Sequence, residues 1–146
     1  MTKDLTINID NSILNIRAGC ILNYKDNFLL EYGDAKYIIN TIKYLDLNVV
    51  QHGINIVYSK EDMIYAKEKG IVFNICPTSN IVLKRAKSFY EHPIRLMYDM
   101  GLKITINTDD LLIFNSTLSN EYLKLYNSKV FNAKELNEIR IESLNY

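Results

Sequence analysis

Residues 104–112 bring two adjacent carboxylates to the end of an apolar strand. Leu102, Ile104 and Ile106 alternate with polar residues, which is the period of a β-strand, and Asp109 and Asp110 follow. Two like charges this close raise the pKa of one carboxyl unless a cation lies beside them. The pair therefore predicts either a site with a positive partner or a solvated Asp-Asp turn.

Three other polar stretches are predicted at strand ends. His52 precedes Gly53, whose missing side chain lets a ligand or backbone come close. Glu31 also lies at a strand end, and residues 76–80 follow the run 71–75. Each has a structural alternative: a hydrogen-bonded histidine, a solvated carboxylate, and a turn that caps the next helix. For residues 76–80 the capping turn is favoured, and His92 is interpreted as a helix start.

The elements that position these residues alternate between helix and strand from residue 33 onward. Strands are predicted at 47–51, 71–75 and 102–107, and helices at 34–45, 59–70, 92–101, 116–126 and 133–144. Alternation of this kind predicts an α/β fold with parallel strands, in which ligands bind at the carboxyl ends of the strands. Before it, residues 13–31 predict a β-hairpin with its turn at 25–27.

Composition excludes several classes of function. The chain has 146 residues, enough for one domain, with 17 basic and 17 acidic residues. No basic field is available for nucleic acid, and no stretch approaches the ~20 apolar residues that span a membrane. Two cysteines and no signal-peptide pattern favour a reduced, cytoplasmic setting.

Five motifs, in this order, resemble the C-terminal half of the adenosine and AMP deaminase family over about residues 31–146. The motifs are His52-Gly53, Cys76-Pro-Thr-Ser-Asn80, His92-Pro93 with Gly101, Asn107-Thr-Asp-Asp110, and Glu121-Tyr122. The resemblance implies an incomplete (β/α)8 TIM-type barrel, in which residues 28–31 take the place of a fourth parallel strand beside the three predicted above. It also implies one zinc ion and replacement of a purine 6-amino group by oxygen from water.

The resemblance also implies roles for four residues. Asp109 would be a zinc ligand, Asp110 would hydrogen-bond the purine, and His52 would lie beside the zinc-bound water, acting electrostatically or as a base. Glu31 matches the glutamate of the family's His-Ala-Gly-Glu motif, which protonates the purine ring. Phe28 stands in place of that motif's zinc-binding histidine. The family's opening His-x-His pair has no counterpart, so the expected zinc site is incomplete.

Residues 13–31 have a second, weaker resemblance, to the first two strands of a Nudix hydrolase. The glutamate-rich helix of that family is absent, so no diphosphate hydrolysis is implied. The resulting division is an N-terminal β-hairpin segment at 1–31 and an adenosine deaminase-like half-barrel at 32–146.

Two functions remain open from the sequence. The first is zinc-dependent hydrolytic deamination of a purine nucleoside, adenosine to inosine, impaired by the missing histidines. The second is a truncated, catalytically inactive remnant or an interaction module. A half-barrel leaves open strand edges, so a second copy or another chain is an expected partner. Adenosine, adenine and AMP are not distinguished as substrates.

Overall fold

A four-stranded parallel sheet positions the polar residues named above. The structure is a computed structural model, and it describes residues 3–9, 12–18, 27–30 and 35–145. Besides a 3-10 helix at Ile54–Tyr58, the elements in chain order are β1 (Lys3–Ile9), β2 (Ser12–Ala18), β3 (Asn27–Leu30), α1 (Ala35–Leu45), β4 (Val49–His52), α2 (Lys60–Lys69), β5 (Val72–Ile75), α3 (Pro77–Val82), α4 (Ile94–Asp99), β6 (Lys103–Ile106), α5 (Leu111–Phe114), α6 (Leu118–Asn127) and α7 (Ala133–Ser143).

The strands of the sheet follow one another in chain order, β3-β4-β5-β6, and every neighbouring pair is parallel. Helices make each return crossover from β3 to β6. The predicted α/β fold with parallel strands is confirmed, and the predicted strands at 47–51, 71–75 and 102–107 correspond to β4, β5 and β6. The carboxyl ends of these strands share one edge of the sheet, which brings distant parts of the sequence together.

The hairpin predicted over residues 13–31 is not what the structure shows. Ser12–Ala18 pairs antiparallel with Lys3–Ile9, in a separate two-stranded sheet. Asn27–Leu30 pairs in parallel with β4 instead of returning along β2. This pairing confirms the fourth parallel strand expected near residues 28–31 and contradicts only the hairpin, because a short, largely apolar strand can extend either kind of sheet. The division of the chain at residue 31 stays a prediction.

Alternation along the strands places different sets of residues on the two faces of the sheet. Val50, Phe73 and Ile104 are in register across β4, β5 and β6, and each is at most 3% exposed. Burying a side chain the size of Phe73 contributes roughly 2–3 kcal/mol. Asn74 and Thr105 are in register one position later and point to the other face. There the Thr105 hydroxyl donates to Asn74 Oδ1 over 2.6 Å.

Local capping signals set the ends of several helices. Ser59 caps α2 as predicted, accepting from the Asp62 N–H over 3.3 Å, and Gly70 ends that helix in the left-handed region. Asn132 and Glu135 form a capping box at the start of α7. None of the described helices is long and apolar enough to cross a membrane.

Two short helices differ from the sequence prediction. Residues 76–80, interpreted as a capping turn, instead run into α3, with Pro77 at its first position. Proline is favoured there because its fixed φ suits a helix and its missing N–H is not needed. The second short helix, α5, follows directly after Asp110. Both helices lie at the carboxyl edge of the sheet, where the candidate site is.

Candidate functional site

His52 ends β4 in an unusual backbone conformation. Its φ is 61°, in the left-handed region, and that of Gly53 is 66°. A non-glycine residue in this region costs about 1–2 kcal/mol, so the surrounding structure must hold it there. The side chain is buried, with Nδ1 3.0 Å from Asn80 Nδ2 and Nε2 3.7 Å from Asp109 Oδ2. The strand end therefore places the imidazole between α3 and the loop after β6.

Asp109 faces His52 from the end of β6. Its Oδ2 accepts a 2.7 Å hydrogen bond from the Ser79 hydroxyl, and its Oδ1 accepts from the Asp110 N–H over 2.9 Å. The Asp109 side chain is 35% exposed. The Ser79 hydroxyl fixes the orientation of this carboxylate. Side chains that bind a metal ion are commonly oriented by such a hydrogen bond.

Asp110 has a different structural role from its neighbour. Its Oδ1 accepts from the N–H groups of Leu112 and Ile113, at 2.8 and 3.0 Å, so it is the N-cap of α5. The two adjacent carboxylates are thus separated in role. One belongs to the His52 cluster and the other begins a helix.

Ser79 and Asn80, on α3, complete the cluster. Their exposures are 1% and 0%, although serine and asparagine are usually surface residues. No role for either residue follows from the sequence, because nothing local in residues 76–80 indicates partners 28 or 30 residues away. The one available signal was Pro77, which predicts a helix start at the carboxyl edge of β5.

Glu121, from α6, fixes the start of α3. Its carboxylate is 1% exposed and accepts from the Thr78 N–H over 2.9 Å and from the Ser116 hydroxyl. Lys124 Nζ donates to the hydroxyls of Thr78 and Ser116, at 2.9 and 3.0 Å. A buried carboxylate without such partners would be costly, so this group anchors α3 and with it Ser79.

His92 contacts the cluster from the start of α4. Its Nδ1 accepts from the Ile94 N–H over 3.1 Å, and its Nε2 is 3.3 Å from Asn80 Oδ1. The interpretation of His92 as a helix start is therefore correct, but the residue also belongs to the site. Asn80 lies between the only two histidines of the chain.

Burial determines the charge state of both imidazoles. It lowers the pKa of His52, with the Asp109 carboxylate acting in the opposite direction. Burial, together with the proximity of His52, lowers the pKa of His92 to about 4. Both rings are therefore neutral at neutral pH, with one protonated nitrogen each.

The described residues do not by themselves fit a catalytic zinc site. Such a site needs about three protein ligands, and the described ranges contain no group of three or more His, Cys, Asp or Glu that could hold a metal ion. Both nitrogens of His92 already have hydrogen-bond partners. Of the predicted site residues, His52, Asp109 and Asp110 have the places given above, and Glu31 lies outside the described residues.

Comparison with known proteins identifies the family. The family profile described as adenosine deaminase matches residues 30–146. The chain is 36% identical over 108 residues to adenosine deaminase from Plasmodium vivax, and 35% identical over 109 residues to that from Clostridium acetobutylicum. These matches cover 72% and 75% of this chain but only 30% and 33% of the relatives. The chain therefore spans about a third of their length.

Solved structures share the fold. An amidohydrolase from Burkholderia ambifaria with bound Zn is 25% identical, with a TM-score of 0.73, covering 84% of this chain and 35% of that one. The N6-methyl-AMP deaminase of Arabidopsis thaliana is 28% identical, with a TM-score of 0.63, covering 75% and 32%. The resemblance to a Nudix hydrolase has no such support. The chain belongs to the adenosine deaminase family.

Proposed function

We propose that the chain supplies one part of a purine deaminase site, the part containing His52, Asp109 and Asp110. The observation that carries the proposal is the 3.7 Å approach of His52 Nε2 to an Asp109 carboxylate that Ser79 already orients. Deaminases of the family act on the 6-amino group of a purine, so the substrate class is a purine nucleoside such as adenosine.

Each proposed role follows from the chemistry of its residue. Asp109 would give one oxygen ligand to zinc, which activates water for attack when bound. The neutral ring of His52 would lie beside that water and orient it. Asp110 would hydrogen-bond the purine, and Glu31 would protonate its ring.

Zinc itself requires ligands beyond those described, so we expect turnover only where further residues, from another polypeptide or from additional chain, complete the site. The matched residues make up only 30% and 33% of these relatives, whose remaining length is the kind of segment expected to supply histidines. A catalytic zinc ion is held by three protein ligands and then lowers the pKa of its bound water. One carboxylate, from Asp109, is too few to hold zinc in this way. We therefore expect the isolated chain to be inactive.

Complementation tests this function directly. The chain would be co-expressed with the portion of the Clostridium acetobutylicum adenosine deaminase that lies outside the match. The complex is expected to hold about one zinc ion and convert adenosine to inosine, followed by absorbance. Asp109→Ala should abolish both properties. Asp99→Ala, which changes an exposed carboxylate paired with Arg95, is the matched control and should retain them.

The second candidate is a non-catalytic remnant or interaction module. The observation that favours it is the incomplete ligand set among the described residues. A complex that forms but takes up no zinc would favour this candidate. Conversely, zinc-dependent loss of adenosine by the isolated chain, absent in Asp109→Ala, would show that the chain is an enzyme without a partner.

A further inference from the structure

A main-chain donor fixes the proton positions on His92. The Ile94 N–H can only donate, so Nδ1 of His92, 3.1 Å away, must accept with its lone pair. A neutral imidazole has one N–H, which therefore lies on Nε2. That nitrogen is 3.3 Å from Asn80 Oδ1, an acceptor. The start of α4 thus determines which ring nitrogen of His92 carries hydrogen.

The same logic passes through Asn80 to His52. With Oδ1 accepting from His92, the amide Nδ2 faces His52 Nδ1 at 3.0 Å. An amide nitrogen only donates, so Nδ1 of His52 must accept, and its single proton lies on Nε2. Nε2 is the atom 3.7 Å from Asp109.

The reversed amide is strongly disfavoured. It would set the Asn80 NH2 group against the Nε2–H of His92, leaving two donors face to face in a site where Asn80 is 0% exposed. Each buried group left without a partner costs about 1–3 kcal/mol. The orientation of this one side chain is therefore determined by hydrogen bonding and not by shape.

We propose that Asn80, held by His92, is a positioning residue that sets the tautomer of His52 so that a proton on Nε2, not a lone pair, faces Asp109. This inference rests on the proposed function, in which His52 would then act as a hydrogen-bond donor. The alternative, a base ready to accept a proton on Nε2, requires the opposite tautomer.

Nuclear magnetic resonance of the chain labelled with 15N tests the proposal without any change of sequence. The chain has only two histidines, so both rings can be assigned. Long-range proton–nitrogen spectra at neutral pH should show the proton of each ring on Nε2. A scalar coupling across the hydrogen bond should link Asn80 Nδ2 to His52 Nδ1. A proton on His52 Nδ1, or absence of that coupling, would overturn the proposal.

Asn80→Asp provides a stricter test, because free imidazole also favours the Nε2 proton. A carboxylate accepts on both oxygens, so the proton pattern on His52 must change: Nδ1 gains a proton, and the signal of its unprotonated form is lost. Asn74→Asp is the matched control. It makes the same chemical change in β5, where the partner is Thr105, and should leave Nδ1 of His52 unprotonated.

The results separate this inference from the proposed function. If Asn80→Asp leaves Nδ1 unprotonated, or Asn74→Asp changes it equally, the positioning role fails even if the complemented complex deaminates adenosine. If the tautomers are as expected and the complemented complex takes up no zinc, only the proposed function fails. Should Asn80→Asp not fold, the coupling in the unchanged chain still decides.

Discussion

His92 shows how much one buried residue can affect this chain. It is 2% exposed, and its ring has partners on both nitrogens only when neutral. Protonation would set an Nδ1–H against the Ile94 N–H and replace an acceptor by a donor. The free energy of unfolding should therefore depend on pH through this side chain.

Folding lowers the pKa of His92 to about 4, from 6.5 in the unfolded chain. Because this pKa is lowered by folding, the unfolded chain takes up a proton at higher pH than the folded chain does. The stabilisation is thus fully present above pH 6.5 and is lost as pH falls toward 4. Between about pH 7.5 and pH 5 we expect a loss of roughly 2 kcal/mol from this group, measured by urea unfolding.

His92→Gln is the control for that pH dependence. The glutamine amide can still donate to Asn80 but does not titrate, so the slope of stability against pH should decrease. The carboxyls of Asp99 and Glu135 have lowered pKa values and titrate at more acidic pH, outside this window. An unchanged slope in His92→Gln would show that the pH dependence comes from other groups.

At the scale of single residues, the sequence predicted some residues of the candidate site and missed others. His52 and Asp109 were predicted because each lies at the end of an apolar strand and within a motif of the family, and the structure places them close together. Asn80 and Ser79 were missed because their partners lie 28 and 30 residues away, and only the fold brings them together. Glu31 was predicted from a motif and remains a prediction.

At the scale of elements, the sequence constrains the carboxyl end of β4 tightly through Gly53. Gly53 has φ 66°, and a Cβ there would lie 2.8 Å from Val50 Cγ1 and 3.0 Å from Phe73 Cδ1. Both neighbours are fully buried, so neither can move away easily. Glycine is thus required at position 53 for two reasons: the backbone has a positive φ, and a Cβ would clash with its neighbours. The strands were well predicted because they follow such local rules. For β3, the fourth parallel strand expected near residues 28–31 is confirmed, and only its expected hairpin pairing within residues 13–31 is wrong.

Gly53→Ala should consequently destabilise the chain far more than an ordinary left-handed glycine does. Gly70→Ala is the matched control, because its φ is 69° but its nearest neighbour would be the flexible Lys103 side chain at 3.8 Å. Both substitutions cost about 1 kcal/mol of backbone strain. Gly53→Ala adds about 1–3 kcal/mol of overpacking, measured as the difference in urea unfolding. Equal losses would show that the buried neighbours can adjust.

For the whole molecule, the described sheet ends at strands with one neighbour each. Within the described ranges β3 and β6 are the outer strands of the four, and unpaired edges favour association with another chain. Beside the carboxyl edge, α5 exposes a run of apolar residues: Leu111, Leu112 and Ile113 are 57%, 93% and 71% exposed. Stretches of this kind usually mark an interaction surface.

We therefore expect this chain to associate through α5. Replacing Leu112 and Ile113 together by serine should shift sedimentation velocity profiles toward the monomer at all concentrations. The stability of the monomer should change by no more than about 0.5 kcal/mol per site, because both side chains are solvated and Asp110 caps the helix through main-chain N–H groups.

Tyr58→Ser, at a residue 78% exposed on the 3-10 helix, is the control for loss of exposed apolar surface alone. If the α5 double variant and Tyr58→Ser change association equally, the contact is non-specific. If only the α5 variant does so, this edge is where a partner binds, next to the carboxylates that the proposed deaminase site requires.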